Sequence, residues 1–239
     1  MHKFHYNKCI NNIVFSGNAL SQIKKGGVYM ANKIYTIGRE FGSGGQYVGE
    51  QLAARLGIKL YDKELLQQAS KDSGFCEEIF ENHDERPTNS FLYSLVMDTY
   101  SVNGYSTASF LDMPLNHKVF LAQFETIKKI AEQESCVIVG RCADYALADN
   151  PDCINIFIKA DMNSRIKMIS KRANITEAKA KEMILKQDKQ RASYYNYYTS
   201  KKWGDSKSYD LCLDSGKLGL DGCVEMILKY RELMDAKNK

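Results

Sequence analysis

Residues 38–46 read GREFGSGGQ. Four glycines fall within eight positions, behind the run Ile34-Tyr35-Thr36-Ile37 and ahead of a helical pattern, QYVGEQLAARLG. Glycines placed this way let successive backbone N–H groups turn inward. The helix that follows adds about half a positive charge at its N-terminus, so the chemistry on offer is the holding of phosphate. Gly42, Ser43, Gly44, Gly45 and Gln46 are the candidate phosphate-binding residues, with Ser43 as a hydroxyl donor. A lysine-bearing cradle would carry lysine and then serine or threonine where this chain has Gly45 and Gln46. Arg39, inside the loop, and Lys63, further on, are the cations that could replace it. The competing readings are a plain tight turn, and an Arg39 spent on a structural ion pair with Glu40 or Asp62.

A second constellation lies downstream. Gly140-Arg141 ends the apolar run CVIV, and Asp144 follows closely. Asp188, Arg191 and Tyr195 fall at i, i+3 and i+7, one face of a helix. An arginine carried over a transferring phosphoryl group by such a helix would stabilise transition-state charge and exclude water. Arg165 and Arg172 form another i, i+7 pair, for which a solvated face is the better reading, and Tyr194, Tyr195, Tyr197 and Tyr198 would pack a helix end or stack on a base. His83 and His117 receive no role. A dinucleotide site is disfavoured. Asp62 lies where a ribose-binding acid would sit, but G-x-G-x-x-G begun at Gly42 reaches Tyr47, and residues 63–135 hold no further clear strand.

These residues need strands and helices to aim them. The pattern predicts strands in KIYTIG, IKLY, CVIVG, CINIFIKA and YDLCLD. Helices are predicted in QYVGEQLAARL, in KELLQQASK behind an Asp62 cap, and in HKVFLAQFETIKKIAEQE. Further helices follow behind Asp161, behind Thr176 and in GLDGCVEMILKYREL. Alternation of this kind predicts an α/β fold, a parallel sheet covered on both faces, with ligands at the strands' carboxyl ends. Residues 75–117 lack a strand pattern and are expected to form irregular helices and loops, a mobile insert.

The chain has 239 residues and a net charge of +4, mild enough to suit small anionic ligands and without the basic run of a nucleic-acid tail. Seven cysteines occur without CxxC pairs, which argues for buried reduced thiols. No apolar stretch approaches the ~20 residues of a membrane span. A cytoplasmic protein that binds neither nucleic acid nor membrane is expected; no oligomeric state is assigned. Lys24-Lys25-Gly26-Gly27 can be encoded by purine-only codons resembling a ribosome-binding site, and Met30 follows. Residues 1–29 are therefore expected to be a leader or an arm, and residues 30–239 a single domain.

YTIGREFGSGGQYVGEQLAARLGIKLYDKELL, CVIVGRCADYAL, DKQRASYYNYY and YDLCLDSGKLG together resemble the cytidylate kinase-like family, relatives of the P-loop nucleoside monophosphate kinases. The resemblance implies a three-layer α/β/α P-loop NTPase fold with a short parallel sheet, a helical acceptor-side insert at 75–117 and a lid region at 174–206. It implies ATP and Mg²⁺, and a nucleoside monophosphate or similar small phosphate acceptor as substrate. Against true cytidylate kinases, Gly42 and Gly44 match loop glycines, Arg39 replaces the first glycine, and Gly45 replaces the lysine. Arg141 matches an arginine used on the monophosphate, while Asp188 and Arg191 resemble lid residues. Arg39, Arg141 and Arg191 are then the candidate catalytic residues, and Asp62, Arg141 and Asp144 the candidate substrate-binding ones. Ser43, Asp62 or Asp144 would help hold Mg²⁺ through waters; no metal ligand set is legible. The alternative is a nucleotide-binding module without turnover, suggested by Gly45 and Gln46.

Overall fold

A computed structural model of the chain describes residues 32–85 and 113–237. The leader or arm expected at 1–29, and most of the expected insert, lie outside them. Five short strands form one parallel sheet: β1 (Ile34–Arg39), β2 (Lys59–Tyr61), β3 (Cys136–Val139), β4 (Cys153–Lys159) and β5 (Leu211–Asp214), in the order β2-β3-β1-β4-β5. The helices are α1 (Gly45–Leu56), α2 (Lys63–Ser73), α3 (Glu77–His83), α4 (Leu115–Gln133), α5 (Ala143–Ala146), α6 (Met162–Ala173), α7 (Glu177–Thr199) and α8 (Ser215–Lys237).

Period-two alternation divides the strands' side chains between two cores. Tyr35, Ile37, Val137, Val139, Ile154 and Ile156 pack with Val48 and Leu52 of α1 and Val224 and Ile227 of α8. Ile34, Cys136 and Ile138 face the other way, onto Leu65 of α2, Ile127 of α4 and Ala143 of α5. Helices therefore cover both faces, giving the three-layer α/β/α P-loop fold. The connection leaving β1 runs to one face and that leaving β3 to the other. The two strands are neighbours, so a crevice opens between their carboxyl ends, the usual ligand position in such sheets.

Three local readings change. Arg39 belongs to β1, paired in register with Ile158, instead of following a strand that ends at Gly38. Asp62 stands before α2 without capping it, because its carboxylate is taken by Arg141. Cys212, on the edge strand of the sheet, is exposed, as is Cys76 before α3, while the other described cysteines are buried. Asp161 and Thr176 do cap, accepting from the backbone N–H groups of Ser164 and Lys179. The closing helix opens with a short turn at Ser215 and is interrupted by non-helical backbone at Gly219, φ 72° and ψ 168°, the residue at which its apolar period begins. Ser215 Oγ reaches the carbonyls of Ser43 at 2.7 Å and Lys159 at 3.2 Å, tying the start of α8 to the glycine loop.

Candidate functional site

The glycine loop joins β1 to α1 at the edge of the crevice. Gly44, in the left-handed region at φ 78°, is the residue from which α1 starts; no side chain caps the helix and no acid stands in its first turn. The first-turn N–H groups and the helix dipole thus lack an internal anion, as phosphate binding requires. The Ser43 hydroxyl is turned inward, onto the protein's own backbone. The residue is fully buried, and its Oγ lies 2.9 Å from the carbonyls of both Glu40 and Ile158. Gln46 is exposed and donates to Glu50 on its own helix.

Gly45 explains how the missing lysine is accommodated. A Cβ built there would lie 2.5 Å from Arg39 Cβ and 3.1 Å from Arg39 Cγ. The Arg39 stem therefore fills the space that a side chain at 45 would need. Relative to the lysine-bearing pattern, the glycine and the cation have changed places. Lys63 is exposed and does not line the hollow beneath the loop.

Across the crevice, Gly140, Arg141 and Cys142 are three successive residues at positive φ, 78°, 54° and 56°. For arginine and cysteine this costs on the order of 1–3 kcal/mol each, and such strain clusters at functional sites. It aims the Arg141 guanidinium inward, where only 3% of its side chain is exposed. Arg141 Nε and Nη2 donate to the two oxygens of Asp84 at 3.0 and 2.9 Å, and Nη1 donates to Asp62 at 2.9 Å and to the Val139 carbonyl at 3.1 Å. Burial opposes the charge on Arg141, but the surrounding carboxylates Asp84, Glu85 and Asp62 outweigh it and hold the guanidinium firmly protonated. Asp84 and Glu85 lie in the stretch where the sequence carries no pattern.

Arg39 pairs with neither Glu40 nor Asp62. Its Nη1 donates to Glu85 Oε1 at 2.8 Å, while Arg191 Nε lies 3.4 Å from Glu85 Oε2 and the Arg141 N–H lies 3.3 Å from Oε1. Burial would raise the Glu85 carboxyl, yet Arg39, Arg191 and Arg141 together pull it well below the ordinary carboxylate range. Arg191 is lowered to about 10 by burial and by neighbouring Arg39, which leaves it charged at neutral pH.

Helix α7 lies over this crevice, and the face read from its spacing is the face it uses. Asp188 accepts from the Phe41 N–H at 2.7 Å, Arg191 Nη1 donates to the Arg39 carbonyl at 3.2 Å, and the Tyr195 hydroxyl donates to Asp144 at 2.6 Å. Burial raises the Asp144 carboxyl. Arg165, expected on a solvated face, is buried instead: it donates to Asp188 at 2.5 Å and sits 3.6 Å from Glu40, bridging α6, α7 and the loop. The tyrosines pack the end of α7. Tyr198 stacks on Phe120 at 4.0 Å and 11°, and Trp203 meets Phe157 edge-on.

Two hollows result. One, about 410 Å³ with its open mouth, lies beneath the loop and is lined by Gly44, Gly45, Gln46, Asp62 and the exposed Arg172. The other, about 350 Å³ with the space open to solvent included, is lined by Glu85, Asp144, Tyr194, Tyr195, Trp203 and Tyr209. Arg39 and Arg191 line both. Gly140 leaves room for the Arg39–Glu85 ion pair: a Cβ there would collide with Arg39 Nη1 and lie 2.5 Å from Glu85 Oε1. Gly140→Ala should therefore cost about 1–3 kcal/mol, from overpacking and the positive φ. Urea denaturation would measure this, and an unchanged midpoint would mean that the pair has space to spare.

Among the described residues, no group of three or more His, Cys, Asp or Glu could hold a metal ion, and no helix is long and apolar enough to cross a membrane. The sequence matches the cytidylate kinase-like family over residues 34–217. A cytidylate kinase of Archaeoglobus fulgidus is 26% identical over 84% of this chain and 96% of its own length. One from Methanocaldococcus jannaschii is 33% identical over 41% of this chain, and the match spans 57% of that protein. A crystal structure of an uncharacterized protein from Eubacterium ventriosum is 35% identical with a TM-score of 0.63, covering 84% of this chain and 99% of that one.

Proposed function

Because the chain belongs to the cytidylate kinase-like family, we propose that it is a phosphotransferase moving the γ-phosphate of ATP to a nucleoside monophosphate, CMP-like, or to a similar small acceptor. The observation that carries this reading is the shared lining: Arg39 and Arg191 border both hollows. A phosphoryl group passing from a donor in one to an acceptor in the other would travel between two guanidinium groups.

The donor's phosphates would rest on the loop and the first-turn N–H groups of α1, where the dipole favours negative charge. Arg39 supplies the cation that the loop otherwise lacks, and its planar fork can hold two phosphate oxygens. Arg191, held against the Arg39 carbonyl, adds charge from the opposite side. The acceptor would lie against Asp144 and the aromatic wall of the second hollow. Arg141 and Asp62 fix the crevice wall by their mutual ion pair.

Mg²⁺, when bound, would neutralise charge on the donor's phosphates. Nothing like a protein cage exists for it among the described residues, and Ser43 Oγ is buried. The fit is to a cation carried by the phosphates and its own waters, with Asp62, a carboxylate lining the donor hollow, holding those waters.

The engagement of Arg39, Arg141 and Arg191 with internal carboxylates favours a second reading, a nucleotide-binding module without turnover. A radiolabelled-ATP screen against all nucleoside monophosphates separates the two. Phosphate transfer to one of them is the expected result. ATP binding without transfer to any acceptor would favour the module.

A further inference from the structure

Glu85 stands out because its carboxylate does what a ligand would do. It receives Arg39 at 2.8 Å and the backbone N–H of Arg141 at 3.3 Å, and lies 3.4 Å from Arg191. Two of these partners are the arginines shared by the two hollows, Arg191 by ion pairing alone, and the third is the N–H of a residue held at positive φ. Gly140 contributes empty space beside both partners, which any side chain would abolish. The nest has the donors, charge and shape of an oxyanion site, and an internal oxyanion fills it.

We propose that this nest is the subsite of the transferring phosphoryl group, and that the Glu85 carboxylate occupies it until phosphate displaces it. The proposal rests on the phosphotransferase reading and deepens it by naming the subsite and its internal competitor. Two anions cannot share donors this close, so one must leave as the other arrives. While Glu85 is seated, it offsets part of the charge of Arg39 and Arg191 without solvent, as Asp84 and Asp62 offset that of Arg141. Their repulsion is then quenched in the empty enzyme, and the crevice stays closed to indiscriminate anions. A phosphoryl group carries more charge than a carboxylate and has the loop and the dipole of α1 behind it, which favours the exchange.

An occupied site binds its ligand with its intrinsic affinity scaled down to the fraction of time it is free. Glu85→Gln keeps the shape and removes the charge. In buffer the variant should melt lower than the wild type, because Arg39 and Arg191 lose their counter-charge. It should bind inorganic phosphate about tenfold more tightly or better, and its melting temperature should rise further on phosphate addition. The wild type offers a check that needs no variant. Hydrogen exchange of the full chain, with phosphate against chloride at matched ionic strength, should slow at Gly45–Tyr47 and quicken in 77–85 as Glu85 withdraws. Protection of the loop with 77–85 unchanged or slowed would overturn the Glu85 proposal while leaving the phosphate cradle standing. Protection of neither would remove both. Equal or weaker phosphate binding by Glu85→Gln would also overturn the exchange, and should that variant fail to fold, the wild-type exchange pattern decides.

Discussion

Replacing Arg39 with glycine should slow phosphoryl transfer by about 10²–10³, the usual loss when one preorganised donor to developing charge is removed. Adding Gly45→Lys to that variant should restore much of the rate. The reasoning is steric before it is electrostatic. A side chain at 45 begins 2.5 Å from Arg39 Cβ, so lysine at 45 and any side-chain-bearing residue at 39 exclude one another. Gly45→Lys alone should therefore damage the protein, since a Cβ next to the backbone cannot swing aside as a flexible tip can, and a strain of about 1–3 kcal/mol is expected. Arg39→Gly alone leaves the loop without its cation and Glu85 without its shortest partner. Together the two changes recreate the arrangement with glycine first and lysine last. The double-mutant cycle should show strong favourable coupling, which independent sites would not. Rates from the four proteins, with melting temperatures alongside, are the measurement. Additive losses would mean that the two positions do not share one space.

Much of this was legible because its physics is local. Short apolar and alternating runs gave all five strands, and the order of strand, glycines and helix located the candidate phosphate loop. The i, i+3, i+7 spacing found the face of α7 that carries Asp188, Arg191 and Tyr195. What escaped was set by partners distant in sequence. Glu85 meets Arg39 from 46 positions away and Asp84 meets Arg141 from 57, and neither acid sits in a periodic segment. Asp62 had the position of a helix cap, but a buried guanidinium outcompeted the N–H groups of α2 for its carboxylate. Arg165 read as solvated because charge and helical spacing say nothing about what lies opposite. Here Asp188 and Glu40 do, and burial follows. Ser43 had the type of a phosphate donor, yet the turn points its hydroxyl at the carbonyls of Glu40 and Ile158.

Arg141→Ala should be the most damaging substitution for stability, at about 3–5 kcal/mol, a fall in melting temperature on the order of 10 °C. The guanidinium is almost wholly buried and joins Asp62, Asp84 and the Val139 carbonyl. Its removal strands two carboxylates in a crevice and leaves a positive-φ backbone without the contacts that hold it. Arg141→Lys should recover little, because an ammonium cannot meet Asp84 through two parallel bonds while also reaching Asp62. Thermal and urea denaturation would measure both. A stable Arg141→Ala protein that had lost only acceptor affinity would show that the guanidinium is free to serve the substrate instead of the fold.

The central claim is that Arg39 takes the place of the missing lysine and acts on a distal phosphate. Calorimetric titration of ATP, AMP and adenosine against the wild type and Arg39→Ala tests it most directly. ATP affinity should fall far more than that of AMP, and adenosine should scarcely change, since the lost partner meets only the end of the phosphate chain. Equal losses for ATP and adenosine would contradict the claim and make Arg39 a residue of the fold alone.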